Sequence, residues 1–291
     1  MGKRLGMARF QALLENLKRE LNLNGSTLQG IGGYSSTDVW GQVRPSFLPG
    51  IDRGVRSFAF GQMHGYGIED AGDIAADNAN TTIWVRDTDN SATIALVSND
   101  ADFTDGSFTL TTGSSSGNQT GICTRSAPFT CATGKKWWCE TSVKLADHDA
   151  TELFFGMSEV DVDTDSFHLT AAGAGVDRVG FVKSIHTDDT VSVASTKNAG
   201  GSILISTDSA LEYDTDDDVL TMAIMWDGVD TIKFYAGIAA TGSEVGDLSL
   251  VKEYSTAAGI PNDSSLKLVL MVEGTGSTAC QVNYIRGAIE V

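Results

Sequence analysis

The chain has 291 residues, 41% of them apolar, which is enough to close the core of one or two domains. Charged residues make up only 20%, Gly occupies 32 positions and the formal net charge is -18, so a nucleic-acid or anionic-membrane partner is not expected. No run of about 18 apolar residues occurs, and no membrane span is predicted.

The charge is unevenly placed. Up to Arg56 there are eight Lys/Arg against four Asp/Glu; from Ser57 onward there are twelve against thirty-four. A basic head therefore precedes an acidic body. Residues 7–23, MARFQALLENLKRELNL, carry Phe10, Leu13, Leu14, Leu17 and Leu21 at spacings of three and four, which predicts an amphipathic helix. Glu15 and Arg19 stand four apart on its other face, and Asn24-Gly25 ends it. Gln11, Glu15 and Asn16 interrupt any signal-peptide core, so the protein is expected to be made in a cytoplasm. A helix of this length is marginal alone in water, so its stripe is expected to bury against another surface.

From Gly25 to about residue 80 the chain is Gly-rich, broken by Pro45 and Pro49, and has no clean period of 2 or 3.6. Tyr34, Trp40, Phe47, Phe58, Phe60 and Tyr66 make it too aromatic for a disordered linker. It reads as an extended arm whose rings are buried in a partner, or as a long loop packed on its own domain. The chain thus divides into a helix and assembly arm (1–80) and a β domain (81–291).

Beyond residue 80, apolar and polar residues alternate in short runs. Strands are predicted at Thr81–Arg86, Thr93–Ser98, Ser107–Thr112, Lys136–Leu145, Thr151–Glu159, Arg178–Lys183 and Thr190–Thr196. Others follow at Val219–Trp226, Thr231–Ala236, Ser265–Glu273 and Ala279–Glu290. Alternation in KWWCETSVKL puts Trp138, Glu140 and Ser142 on one face and Trp137, Cys139, Thr141 and Val143 on the other. Trp226-Asp227-Gly228-Val229-Asp230 reads as a hairpin turn. Turn signals about every ten residues, with no helical alternation between strands, predict an all-β antiparallel sandwich.

Three stretches resemble a concanavalin-A-like jelly roll of the lectin and glucanase type. They are KKWWCETSVKLADHDATELFFGMSE (135–159), LTMAIMWDGVDTIKFYAG (220–237) and QVNYIRGAIEV (281–291). The resemblance implies that the second stretch forms curved strands behind a ligand face. The opening thirty residues, MGKRLGMARFQALLENLKRELNLNGSTLQG, are similar to the start of structural virion proteins of marine tailed bacteriophages, cyanophages in particular. That resemblance implies a virion component.

Four cysteines stand at Cys123, Cys131, Cys139 and Cys280, with spacings unlike a zinc site. Cys123 and Cys131 flank a turn containing Pro128; free thiols are expected in a reducing compartment and a bridge in an oxidising one. The alternating acids Asp161, Asp163 and Asp165 are weak Ca²⁺ candidates, and solvated turns are the reading preferred for them. The histidines lack metal-motif spacing, and Gly-x-Ser-x-Gly is absent. A glycosidase of this fold would carry a Glu pair on one strand, as in E-x-D-x-x-E, about 5 Å apart for retention, and that motif is missing. No catalytic residues, no cofactor and no enzymatic activity are expected.

Two functions compete. The first is a capsid cement or decoration protein of a bacteriophage virion. It would bind the major capsid protein or other virion proteins through Phe10, Leu13, Leu14, Leu17, Leu21, Tyr34, Trp40 and Phe47, and self-associate, with a trimer favoured. The second is a carbohydrate-binding tail or fibre module that recognises host-surface glycans. Trp137, Phe154 and Phe234 are expected in its core, while Trp138 and Tyr235 are expected as exposed rings that stack on sugars.

Overall fold

A computed structural model describes residues 55–61, 84–88, 92–97, 107–159, 176–184, 189–199, 202–240, 246–255 and 259–290. Fifteen strands occur among the described residues in chain order. They are β1 (Val55–Gly61), β2 (Trp84–Thr88), β3 (Thr93–Val97), β4 (Ser107–Thr111), β5 (Asn118–Thr124), β6 (Trp137–Leu145), β7 (Thr151–Ser158), β8 (Arg178–Lys183), β9 (Thr190–Ala199), β10 (Ser202–Glu212), β11 (Val219–Trp226), β12 (Ile232–Ala239), β13 (Ser249–Tyr254), β14 (Lys267–Gly274) and β15 (Ala279–Glu290). No helix lies among the described residues. The predicted N-terminal helix falls outside them.

Every pairing is antiparallel, and the strands form two sheets. One runs β13-β12-β11-β6-β15-β4-β3, with β1 also on β15; the other runs β10-β9-β8-β7-β14-β5-β2. The non-sequential neighbours, such as β6 between β11 and β15, come from chain crossings between the two layers. The long β15 serves two partners along one side. Ala279–Val282 pair with β4, and Tyr284–Glu290 pair with β1, with a register shift between Val282 and Tyr284 where β15 also faces β6. β1 lies within the segment read as an arm, and seven of that segment's residues thereby join this chain's own sheet.

Alternation along the strands builds the core. From β6, Trp137, Cys139, Val143 and Leu145 point between the sheets, and Leu220, Met222, Ile224 and Trp226 of β11 join them. From the facing sheet come Leu153, Phe155 and Met157 of β7, with Phe181 of β8. Phe181 and Phe234 meet edge to face across the gap, with centroids 5.5 Å apart and planes at 88°. Trp137 and Phe234 are core residues, as expected. Phe154 is fully buried too, but with Cys123, Val269 and Met271 on the opposite face of its sheet; Phe155 holds the place between the layers.

The Asp-Gly hairpin is present. Asp227 Oδ1 accepts the N–H groups of Val229, Asp230 and Thr231 at 2.7, 3.1 and 3.1 Å, and Gly228 takes φ +78°, a left-handed conformation that a Cβ disfavours. All four cysteines are buried free thiols, so Cys123 and Cys131 are not bridged. Their side chains belong to different clusters: Cys123 lies on the outer face of its sheet and Cys131 in the main core.

Candidate functional site

Three places among the described residues gather chemistry. They are the non-core face of the β6/β11/β15 sheet and the two ends of the sandwich.

On the sheet face, period-2 alternation brings Trp138, Glu140 and Ser142 outward, as the sequence predicts. Register then sets Arg286 and Ala223 opposite Glu140, Met225 and Ala288 opposite Trp138, and Tyr235 opposite Ala223. The structure therefore brings the two predicted sugar-stacking residues together. Trp138 packs with Ala223, Met225 and Ala288, and Tyr235 lies against the same group. The expected exposure of Trp138 is corrected, because only 3% of it is exposed. The segment before β13 crosses this face. Gly246 N–H donates to Thr221 Oγ1 at 2.9 Å, and Leu248 packs on the Trp138 cluster. Tyr235 is half-buried.

Beside Trp138 lies a feature that alternation could place but not assemble. Glu140 is 2% exposed. Its Oε1 accepts a hydrogen bond from the Tyr284 hydroxyl and another from Arg286 Nη2, the latter at 2.6 Å. The Arg286 guanidinium also stands 4.7 Å from the centre of the Tyr284 ring. A carboxylate this far from water needs such charge-assisted bonds, because an uncompensated buried charge is costly. The buried Trp138 Nε1–H makes no hydrogen bond.

At the end of the sandwich where β6 starts and β11 finishes, a cleft of about 310 Å³ opens between three loops. Its apolar lining is Cys131, Ala132, Trp226, Val229 and Ile260, and its polar lining is Thr133, Asp230 and Asn262. Trp226 is held in place by its Nε1–H, which donates to the Ala132 carbonyl at 3.2 Å. Thr133, Asp230 and Asn262 are exposed, and Val229 is 63% exposed. Burial pushes the Cys131 thiol pKa far up, so this sulfur stays protonated and unreactive. The Asp227–Asp230 turn is legible in the sequence, and the cleft is not. Its walls come from segments about 30 and 95 residues away from that turn, and nothing in a linear pattern joins them.

At the opposite end, one β6 length away (~30 Å at about 3.3 Å per residue), His148 in the β6–β7 turn meets acids from two other connections. Its Nδ1 lies 2.7 Å from Asp216 Oδ1, and its Nε2 lies 3.0 Å from Asp189 Oδ1 and 3.4 Å from Asp149 Oδ1. Its backbone N–H also donates to Asp216 Oδ1 at 2.8 Å. Lys183, almost fully buried, donates to the His148 carbonyl. Burial lowers the Lys183 pKa, and the surrounding carboxylates of Asp189, Asp149, Glu152 and Asp147 work against that. The Lys183 ammonium supplies positive charge at this cluster, so it reads as an ion-pair hub and not as a metal centre. Tyr213 closes the back of it, with its ring edge-on to His148 at 6.2 Å and its hydroxyl donating to the Asp218 carbonyl at 2.6 Å.

The remaining predicted site residues lie outside the described residues. These are Phe10, Leu13, Leu14, Leu17, Leu21, Tyr34, Trp40 and Phe47 on the partner-binding side, and Asp161, Asp163 and Asp165 as metal candidates.

No protein-family model matches the chain, and no curated protein matches its sequence. Solved structures match it in fold. A protein of unknown function from Shewanella oneidensis MR-1 superimposes with a TM-score of 0.51 at 12% identity, over 90% of this chain and 97% of that one. An endo-β-1,4-glucuronan lyase from the fungus Trichoderma reesei gives 0.50 at 12% identity, over 81% of this chain and 95% of that one. Lectin I from Ulex europaeus gives 0.45 at 13% identity, over 81% and 98%. The virion placement stays an expectation from the N-terminal sequence. The expectation of no enzymatic activity is corrected. A lyase shares this architecture, so the missing E-x-D-x-x-E motif, which is particular to one kind of glycan hydrolysis, does not exclude catalysis. At these identities the likeness establishes the fold alone: the two antiparallel sheets form a concanavalin-A-like jelly-roll sandwich, the architecture shared with the lyase.

Proposed function

We propose that this chain is a glycan-binding jelly-roll module whose ligand sits in the cleft between Thr133, Trp226, Asp230 and Asn262. The observation that carries this reading is the make-up of that cleft. It has an apolar floor of Trp226, Ile260 and Cys131 with exposed Asp, Asn and Thr side chains around it. A pyranose presents the same division, with C–H groups on its ring faces and hydroxyls at its rim. Asp and Asn accept and donate pairs of hydrogen bonds to neighbouring hydroxyls. The volume is at the lower end of the ~300–1,000 Å³ range of small-molecule sites, which suits one or two sugar rings. The acidic body disfavours polyanionic glycans and supports a neutral one. The narrower idea of a phage tail or fibre module rests on the N-terminal resemblance.

A glycan array followed by calorimetry with the best hit tests the reading. Asp230→Ala and Asn262→Ala remove exposed groups and should leave the fold intact. Each is expected to weaken binding about tenfold or more, the loss of a hydrogen bond to a charged or amide partner. An array without hits, or affinity indifferent to both changes, would refute the proposal.

A second reading, glycan cleavage on the sheet face, is favoured by the Glu140–Tyr284–Arg286 group. The Tyr284 hydroxyl, next to a carboxylate and a guanidinium, is placed for proton transfer. If the chain turns over a polysaccharide, Tyr284→Phe should lower kcat by roughly 10²–10⁴-fold, the contribution of a positioned acid or base. New chain ends would be quantified for both proteins; equal rates would remove Tyr284 from the chemistry.

A further inference from the structure

The His148 hub has a property that follows from counting donors. Each ring nitrogen faces a carboxylate oxygen, Nδ1 that of Asp216 at 2.7 Å and Nε2 that of Asp189 at 3.0 Å. Ionised carboxylates only accept, and a neutral imidazole has a single N–H to donate. Both contacts are hydrogen bonds only when the ring carries two protons. A neutral ring would turn one lone pair toward an anionic oxygen.

The three acids do not come from one segment. Asp149 shares the β6–β7 turn with His148, Asp189 precedes β9, and Asp216 stands in the connection between β10 and β11. Among the described residues, Tyr213 N–H donates to the Asp189 carbonyl at 2.6 Å, Asp217 N–H to the Leu145 carbonyl at 2.9 Å and Leu145 N–H to the Tyr213 hydroxyl at 3.2 Å, so these connections meet at the same end of the sheet. The ring is in contact with all three acids, and it is mostly shielded, with 13% of its side chain exposed.

We propose that His148 is a proton-operated clasp, which in its doubly protonated form ties the β6–β7 turn to both the β8–β9 and β10–β11 connections and releases one of them when it loses a proton. This is independent of glycan binding, which is assigned to the other end of the sandwich.

The charged groups facing the ring among the described residues are Asp149 from its own turn, Asp189 from the β8–β9 side, Asp216 from the β10–β11 side and the Lys183 ammonium from β8. Burial opposes the imidazolium, and so does Lys183; the Asp216 bond and the Asp149 and Asp216 charges outweigh them, and the His148 pKa is raised above 6.5. Asp216 moves the other way. The His148 backbone N–H and ring hold its carboxyl below 3.8. The signs then set the window. A raised histidine contributes fully below its unfolded value of 6.5 and loses that contribution as pH climbs through the folded value. A depressed aspartate contributes fully above 3.8 and loses it as pH falls through the folded value. The clasp is therefore closed between these limits and opens on the alkaline side.

Ring nitrogen shifts of the full chain, with the His148 signals assigned by their loss in His148→Gln, read the protonation directly. Amide hydrogen exchange at Tyr213 and Asp217, corrected for the intrinsic pH effect, reads the tie. The expected result is a titration midpoint above 6.5 and a fall in protection through that midpoint, about tenfold for each unit by which the midpoint is raised. His148→Gln should remove the pH step in protection, and Asp189→Asn should lower the midpoint while leaving the ring bound to Asp216. If His148→Gln does not fold, the wild-type midpoint and Asp189→Asn still decide. A midpoint at or below 6.5, or a pH step that persists in His148→Gln, would overturn the proposal. So would Zn²⁺ or Ca²⁺, added alone at micromolar concentration, abolishing the titration and keeping the amides protected at alkaline pH, since the cluster would then be a cation site.

Discussion

Replacing Phe234 by Ala is expected to cost about 3–5 kcal/mol of folding stability, the usual penalty for emptying a large buried aromatic site. Phe234 is fully buried and belongs to β12 of one sheet. It meets Phe181 of the other sheet edge to face at 5.5 Å, and Tyr254 of the neighbouring β13 at 5.5 Å and 77°. Both arrangements set a positive ring edge against a negative ring face, worth about 0.5–1.5 kcal/mol per pair beyond the area buried. The site cannot collapse easily, because the Tyr254 hydroxyl is tied across the gap to the Val193 carbonyl at 3.3 Å. Urea unfolding followed by fluorescence measures the loss. A change under about 1 kcal/mol would mean that the two layers do not pack through this ring.

Gly156→Ala is expected to be comparably severe for a different reason. Gly156 of β7 pairs directly with Gly180 of β8, and the two backbones are pressed together there. A Cβ on Gly156 would lie 2.2 Å from the Val179 carbonyl oxygen and 2.5 Å from Gly180 Cα. Neither neighbour is a flexible side chain that can swing away. The strands must separate, which loosens a pairing at the centre of the sheet, next to β14. Overpacking commonly costs about 1–3 kcal/mol, and a clash with backbone belongs at the top of that range or beyond it. The change in melting temperature relative to Gly276→Ala isolates the steric part. Gly276, like Gly156, has no left-handed backbone, but it has open space where a Cβ would go. If both variants lose the same amount, the close approach of β7 and β8 is not what requires glycine.

The strands that were legible in the sequence have alternation strong enough to survive half-polar company. KWWCETSVKL is the clearest case: Trp137, Cys139 and Val143 face the core, and Trp138 and Glu140 face away. Four strands escaped. β5, NQTGICT, begins inside the polar run 113–121, and its partners β14 and β2 supply the pairing that its own composition does not advertise. β10 and β13 are outermost in their sheets, where one side of the strand lacks a neighbour and the hydrophobic pattern is weaker. β1, VRSFAFG, sits in a Gly-rich stretch with no sustained period, and its place is set by Tyr284–Glu290 of β15, more than 220 residues later.

The candidate sites divide the same way. That the chain is a two-layer antiparallel sandwich, that Asp227-Gly228 turns a hairpin and that Trp138 and Glu140 share a face are local matters of period and turn chemistry, and the amino-acid order determined them. Only the tertiary structure decided that Trp138 is covered by Leu248, that Glu140 meets Tyr284 and Arg286, that Asn262 joins Asp230 around one cleft, and that a lone histidine gathers acids from three connections. The physical reason is range. A pleat repeats every two residues and a turn closes within four, so both leave marks in adjacent letters. A contact between residues 30 to 150 positions apart depends on which strand lies beside which, and that choice is made by the packing of the whole core.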